Sequence, residues 1–302
     1  MALISQAQGR KDTKFARRAF RMGLWLVILA SLISIGILTQ VEPILRFFDQ
    51  KEELIHLSAE YMVIAKWMIL PFMIFTMLRA FMMSVNKVYM IFWVSTFGLL
   101  FNAVVNYMLI FGNFGAPKLE IQGAAIASIS SSLAMLLLII GYTYISKSIR
   151  KFELFKGIYK PDITTLLKVI HLGFPIGMTT LAEVGSFSAA TILMGWVGKI
   201  ELAAHGIMMQ IFSFVFMVPL GVSQAATIRI GTALGEKNKK KIYEASTSVY
   251  SIGLGCGIII MFSLFLGGEF FIKLFLDQNV TNSDEVLKFA SIFLVYGIFF
   301  HI

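Results

Sequence analysis

The chain has 302 residues, 58% of them hydrophobic and 14% charged, with a formal net charge of +9. Soluble domains carry about 25% charged residues, so this composition, with a mean hydropathy of +0.80, excludes an ordinary soluble globular protein and points to a multi-pass membrane protein. A single cysteine, Cys256, excludes a disulfide framework and a cysteine-based zinc site.

A membrane crossing needs roughly 20 mostly apolar residues, and eight such runs are predicted as helices. The first, 18–40, follows a basic stretch holding Arg10, Lys11, Lys14, Arg17, Arg18 and Arg21. It ends at "VEPILRFFDQKEE", where Pro and charge interrupt the pattern. Runs 56–84 and 88–112 come next. The latter carries Asn102 and Asn106, four apart and so on one helix face, with Tyr107 beside them. "NFGAPKLEIQ" separates it from run 122–146. "SKSIRKFELFKGIYKPD" then forms a basic linker, 147–164, ahead of run 165–197, which holds Pro175 and Glu183. Run 200–232 carries Gln210, Ser213, Pro219 and Gln224, and "LGEKNKKK" separates it from run 242–267. The eighth run is 284–302.

The basic residues gather in alternate loops: before the first run, between the fourth and fifth, and between the sixth and seventh. Positive loops stay cytoplasmic, which predicts a cytoplasmic first residue. The same clustering reads as an orientation signal rather than a nucleic-acid surface.

The chain also resembles itself. "ISQAQGRKDTKFARRA" (4–19) aligns with "IGTALGEKNKKKIYEA" (230–245), "ILRFFDQ" (44–50) with "FIKLFLDQ" (271–278), and "LSAEYMVIA" (57–65) with "KFASIFLVY" (288–296). Six runs separate the copies. Six is even, so both copies enter the membrane from one side, as a parallel repeat does. Two full copies require about twelve helices, and eight are present. The expectation is a stretch from the middle of a larger transporter, with two helices before residue 1 and two after the eighth run.

Several blocks, in order along the chain, resemble the multidrug and toxic compound extrusion (MATE) family in its NorM-like branch. They are "ISQAQGRKD", "FNAVVNYMLIFGNFG", "LEIQGAAIAS", "GFPIGMTTLAEVGSFSAATILMGWVG" and "LAAHGIMMQIFSFVFMVPLGVSQAATIRIGTALGEKN". The resemblance implies an all-α, polytopic fold of twelve helices in two six-helix lobes. This chain then covers family helices three to ten, with a partial N-terminal lobe at 1–146 and a partial C-terminal lobe at 165–302. It also implies a secondary antiporter of the cytoplasmic membrane, not an enzyme. Cationic or amphiphilic drugs leave in exchange for Na⁺ or H⁺, with no cofactor or bound metal, and the full-length protein is monomeric. The alternatives are an exporter or flippase of a lipid-linked or polysaccharide precursor, and an inactive fragment. The family carboxylate of the tenth helix falls just past Ile302, next to His301.

Glu183 is the leading site residue. An acid at the bilayer centre costs roughly 2.5–3.5 kcal/mol on insertion scales and normally faces a bundle interior or water. A carboxylate drawn out of water holds a proton more tightly; ionised, it supplies oxygen to Na⁺ and charge to a cationic drug. It matches the family's seventh-helix glutamate, implicated in cation coupling; the plainer role is a hydrogen bond to a neighbouring helix. Pro175 and Pro219 each remove a backbone bond and act as hinges or as static kinks. Gln210, Ser213 and Gln224, with Asn102, Asn106 and Tyr107, line a cavity or bond across helices. His205 has no second ligand at helical spacing and reads as a packing or hydrogen-bonding residue.

Overall fold

A computed structural model describes residues 1–47, 52–276 and 283–298. Among them every regular element is helical. In chain order these are α1 (Ala2–Gly9), α2 (Thr13–Leu38), α3 (Val41–Phe47), α4 (Glu52–Ala65), α5 (Ile69–Ser84), α6 (Val88–Phe111), α7 (Glu120–Ile145), α8 (Lys147–Arg150), α9 (Ile163–Val197), α10 (Lys199–Gly235), α11 (Lys239–Phe275) and α12 (Ser283–Ile298). A 3₁₀ turn, Lys66–Met68, joins α4 to α5, so the second predicted run is one hydrophobic segment with a break inside it.

Among the described residues seven helical segments are long and apolar enough to cross a membrane, against the eight runs predicted. The difference lies in the eighth run. Its described helix, α12, has 16 residues, about 24 Å at 1.5 Å per residue and short of a bilayer's roughly 30 Å of hydrocarbon. Residues 299–302, His301 among them, lie outside the described residues, as do parts of the repeat blocks 44–50 and 271–278.

Packing divides the chain into two units, Met1–Val169 and Ile170–Ile302. The first is centred on Phe20, Leu78, Phe81, Met82 and Ile139, all fully buried. Small residues set its helix contacts. At Gly123 an added Cβ would lie 2.7 Å from the Leu109 carbonyl, so α7 touches the backbone of α6 where "IQGAAIAS" begins. The Leu119 N–H donates to that same Leu109 oxygen at 2.8 Å.

Much of the basic segment 147–164 packs against the first unit. Ile149, Phe152 and Leu154 are buried in its core. Phe152 meets Phe81 edge-on at 5.3 Å, and Phe81 meets Phe20 at 5.4 Å. Around that apolar seam Arg17 pairs with Glu153, Arg21 donates to the Gly157 carbonyl at 2.9 Å, and the Trp25 indole donates to the Ile158 carbonyl at 2.8 Å.

The second unit packs α10, α11 and α12 around Ala204, Met208, Ile211, Leu264, Ile272 and Ala290. Met208 is core; Phe214 and Met217 face outward.

The internal repeat has a structural counterpart. Lys11 (φ 58°) and Lys237 (φ 54°) both take the left-handed conformation. The Asp12 N–H donates to the Ala7 carbonyl and the Lys11 N–H to Gln8; correspondingly, Asn238 donates to Ala233 and Lys237 to Leu234. This double bond pattern is a Schellman helix end. In each copy the next residue caps the following helix: Asp12 accepts from the Phe15 N–H at 2.8 Å, Asn238 from the Lys241 N–H at 3.1 Å. The same backbone turn recurs at Asn86 (φ 60°), with Lys87 donating to Met82 and Asn86 to Met83.

Candidate functional site

Glu183 sits near the middle of α9, a continuous 35-residue helix despite its internal Pro175. Gly198 separates α9 from α10, and Glu183 lies about 22 Å along the helix from it. Ser213 lies the same distance along α10, with Gln210 one turn nearer and Gln224 three turns farther. Residues 210, 213 and 224 fall within one arc of α10 at 100° per residue.

The surroundings of Glu183 are hydroxyl-rich. Thr179 (i−4) and Ser186 (i+3) share its face of the helix. The Thr179 hydroxyl donates to the Pro175 carbonyl at 3.0 Å, and Ser186 donates to Ala182 at 2.8 Å. Each has spent its only hydrogen on its own backbone and keeps acceptor lone pairs. Thr179 also occupies the Pro175 carbonyl, in the turn where the proline ring has removed a backbone donor. Neither hydroxyl stood out in sequence, because Ser and Thr bonded to the preceding turn are commonplace in apolar helices.

Glu183 is exposed, as is nearly the whole of α9 from His171 to Ala189. Against the rest of its unit α9 makes only scattered contacts, such as Thr191 Oγ1 to His205 Nε2 at 3.3 Å. Gln210 and Ser213 are exposed and Gln224 half-buried, and Ser213 donates to its own Met209 carbonyl at 2.7 Å.

Pro219 borders a cleft of about 460 Å³ between α10 and α11, lined also by Ser223, Tyr250, Gly253, Gly257 and Met261. Sequence reading missed Tyr250 and Ser223. The available signal was the spacing of Gly253 and Gly257, four apart on one face of α11.

Asn102, Asn106 and Tyr107 of the third run separate into two settings. Asn106 Nδ2 donates to Asn102 Oδ1 at 3.0 Å, and Asn102 Nδ2 donates to Ser131 Oγ on α7 at 3.1 Å. This chain of bonds ties α6 to α7. Tyr107 stands apart from it, half exposed beside Phe111 and Phe114. A further polar tie escaped the sequence reading: Gln122 on α7 donates to Glu60 on α4 at 2.8 Å. An acid inside an apolar run was the signal there too, but Glu60 lies near the charged start of its run.

Long apolar helices in two units, joined by a repeated turn, define a multi-pass α-helical membrane protein. The MatE family model matches residues 1–108 and 175–302. A probable multidrug resistance protein NorM of Rhizobium meliloti is 42% identical over 298 residues, covering 97% of this chain and 63% of that protein. Its counterpart in Agrobacterium fabrum is 38% identical, over 98% of this chain and 64% of its own length. The fold agrees with the eukaryotic MATE transporter AtDTX14, at a TM-score of 0.86 and 19% identity over 99% of this chain and 65% of that one. A Vibrio cholerae MATE transporter superposes with a TM-score of 0.85 and 18% identity, over 97% and 64%. This chain belongs to the MATE family, in its NorM-like branch, and spans about 63–65% of the length of these relatives.

Proposed function

We propose that this chain forms the middle of an ion-coupled exporter of cationic or amphiphilic drugs across the cytoplasmic membrane, with its first residue on the cytoplasmic side. Glu183 is the coupling group. It takes H⁺ or Na⁺ from the outer side, releases it inward, and is free to attract a cationic drug when empty. The observation that carries this reading is a carboxylate about 22 Å along an apolar helix, on one face with two hydroxyl oxygens whose hydrogens are already engaged. Such a face offers oxygen to a hard cation or one proton site. The names of the curated relatives, multidrug resistance proteins, support the substrate class.

Pro175 and Pro219 supply the bending points, since each leaves a carbonyl one turn back without its helical donor. Gln210, Ser213 and Gln224 present polar atoms along one arc of α10. Asn102 and Asn106 hold the first lobe together, and Tyr107 is the member of that trio free to meet a ligand.

The test is ethidium export from proteoliposomes holding the full-length protein, under separately imposed Na⁺ and pH gradients. Glu183→Gln should lose gradient-driven export by more than about tenfold, the loss of a group acting in the transport step itself. It should still bind ethidium, more weakly. Undiminished gradient-driven export in the Gln variant overturns the assignment.

A further inference from the structure

The first unit carries a polar cleft apart from the residues assigned to export. A cleft of about 610 Å³ is lined by Lys14, Arg17, Arg18, Arg21, Lys156, Gly157, Tyr159 and Lys160. Six of these eight residues are cationic. Glu153 takes up Arg17 and Lys156, and Asp162 takes up Arg18 at 3.4 Å. Lys14, Arg21 and Lys160 have no carboxylate partner among the described residues.

Arg21 is the telling member. Its side chain is buried, the residue only 8% exposed, and its Nε–H has no acceptor. Its Nη1 donates to the Gly157 carbonyl at 2.9 Å and Asp162 offsets part of its charge, but no carboxylate bonds it, and the cleft it lines is crowded with like charges. An anion with several oxygens in that cleft relieves the crowding.

The face of α2 below the cleft identifies the rest of that anion. Lys14, Arg18, Arg21, Trp25, Leu29 and Leu32 follow one another at three- and four-residue steps and share a face. The face runs from cations, through an indole, to exposed leucines. Trp25 is 42% exposed and Tyr159 is 73% exposed, the aromatic setting of a membrane interface. Charge, then aromatic ring, then apolar surface along one membrane span is the profile of a phospholipid.

We infer that this cleft is a binding site for the phosphate of an anionic phospholipid, with the acyl chains lying along Trp25, Leu29 and Leu32. The bound headgroup ties the start of α2 to the segment 147–162 at the bilayer surface. This inference needs only the membrane setting and not drug export, so its failure leaves the assignment of Glu183 standing.

Native mass spectrometry of the detergent-purified protein tests it, with dioleoyl phosphatidylglycerol and dioleoyl phosphatidylcholine titrated separately. The expected result is preferential retention of phosphatidylglycerol, undisturbed by millimolar inorganic phosphate. Arg21→Gln risks the fold, so the variant is Lys14→Gln with Lys160→Gln, both exposed lysines. A lysine near an anionic headgroup is worth about fivefold in affinity, so the double variant should bind phosphatidylglycerol roughly 30-fold more weakly with an unchanged thermal midpoint. Equal retention of the two lipids, or undiminished phosphatidylglycerol binding by the variant, overturns the inference. Displacement by inorganic phosphate assigns the site to a free anion and overturns the lipid.

Discussion

Removing the Phe152 ring should loosen the basic segment from the first unit. Phe152 is 5% exposed and sits edge-on to Phe81, which is itself packed edge-on against Phe20. Truncating a buried Phe to Ala costs about 3–5 kcal/mol, of which the ring pair accounts for about 0.5–1.5 kcal/mol. The segment's other apolar anchors are Ile149 and Leu154, buried, and Phe155 and Ile158, partly buried, and its ion pairs are largely exposed and contribute little. Most of the loss therefore falls on local opening. At about 3 kcal/mol, opening becomes roughly 150-fold more frequent. Amide hydrogen exchange reads this directly at Phe152, Glu153 and Lys156, whose N–H groups bond to Ile149, Arg150 and Glu153. Protection there should fall by about that factor, while amides within α6 and α7 hold. Phe152→Leu keeps most of the volume and should cost less than about 1.5 kcal/mol. Unchanged exchange in Phe152→Ala would refute the claim that this side chain holds the segment down.

At Gly123 an added methyl meets the Leu109 backbone rather than a movable side chain, so Gly123→Ala should cost about 1–3 kcal/mol and lower the thermal midpoint by several degrees. At Gly177 an added methyl meets nothing, so Gly177→Ala should raise helix stability by up to about 1 kcal/mol; if the stretch beside Pro175 bends during transport, export falls as the midpoint rises. The docked segment should also respond to acid. Hydrogen bonds from Lys156 and then Arg17 hold the Glu153 carboxyl below its ordinary range, and bonds from the Thr165 N–H and hydroxyl do the same for Asp162. Both groups therefore contribute fully above their ordinary values near 4 and lose that contribution as pH falls through the lowered ones. With the other three tryptophans replaced by Phe, Trp25 emission should be flat from neutrality to about pH 5 and should shift only below about pH 4.

The spans were legible because hydrocarbon demands unbroken apolar helices, and the predicted edges fall within about three residues of the observed ones for most runs; α11 extends farther, to Phe275. The Asn102–Asn106 pairing was legible from its four-residue spacing. The docking of 147–164 was not: its composition is that of a solvated linker, and only Ile149, Phe152 and Leu154 mark the buried side. Those three follow neither helix nor strand periodicity, because the segment beyond α8 is a series of turns. Glu183 was legible as a charge out of place. Its companions Thr179 and Ser186 were not, since their importance depends on which acid shares their face.

The repeat carries one physical consequence of its own. Lys11 and Lys237 hold a conformation that glycine adopts freely and other residues adopt at a cost. Both copies nevertheless carry lysine, followed at once by an Asp or Asn that caps the next helix. A cation just past the end of one helix is favoured by that helix's dipole, and it adds to the basic stretch at each corner. The same corner at Asn86 lacks a capping side chain at Lys87, so the backbone turn alone suffices to reverse the chain. The cap and the charge are thus separate additions to a turn the fold uses three times. At the two corners where sequence similarity survives across 226 residues, what is shared is the turn, the cap and the lysine together. This explains why the repeat is clearest around these corners, while most of the intervening helical sequence, constrained chiefly to be apolar, has drifted.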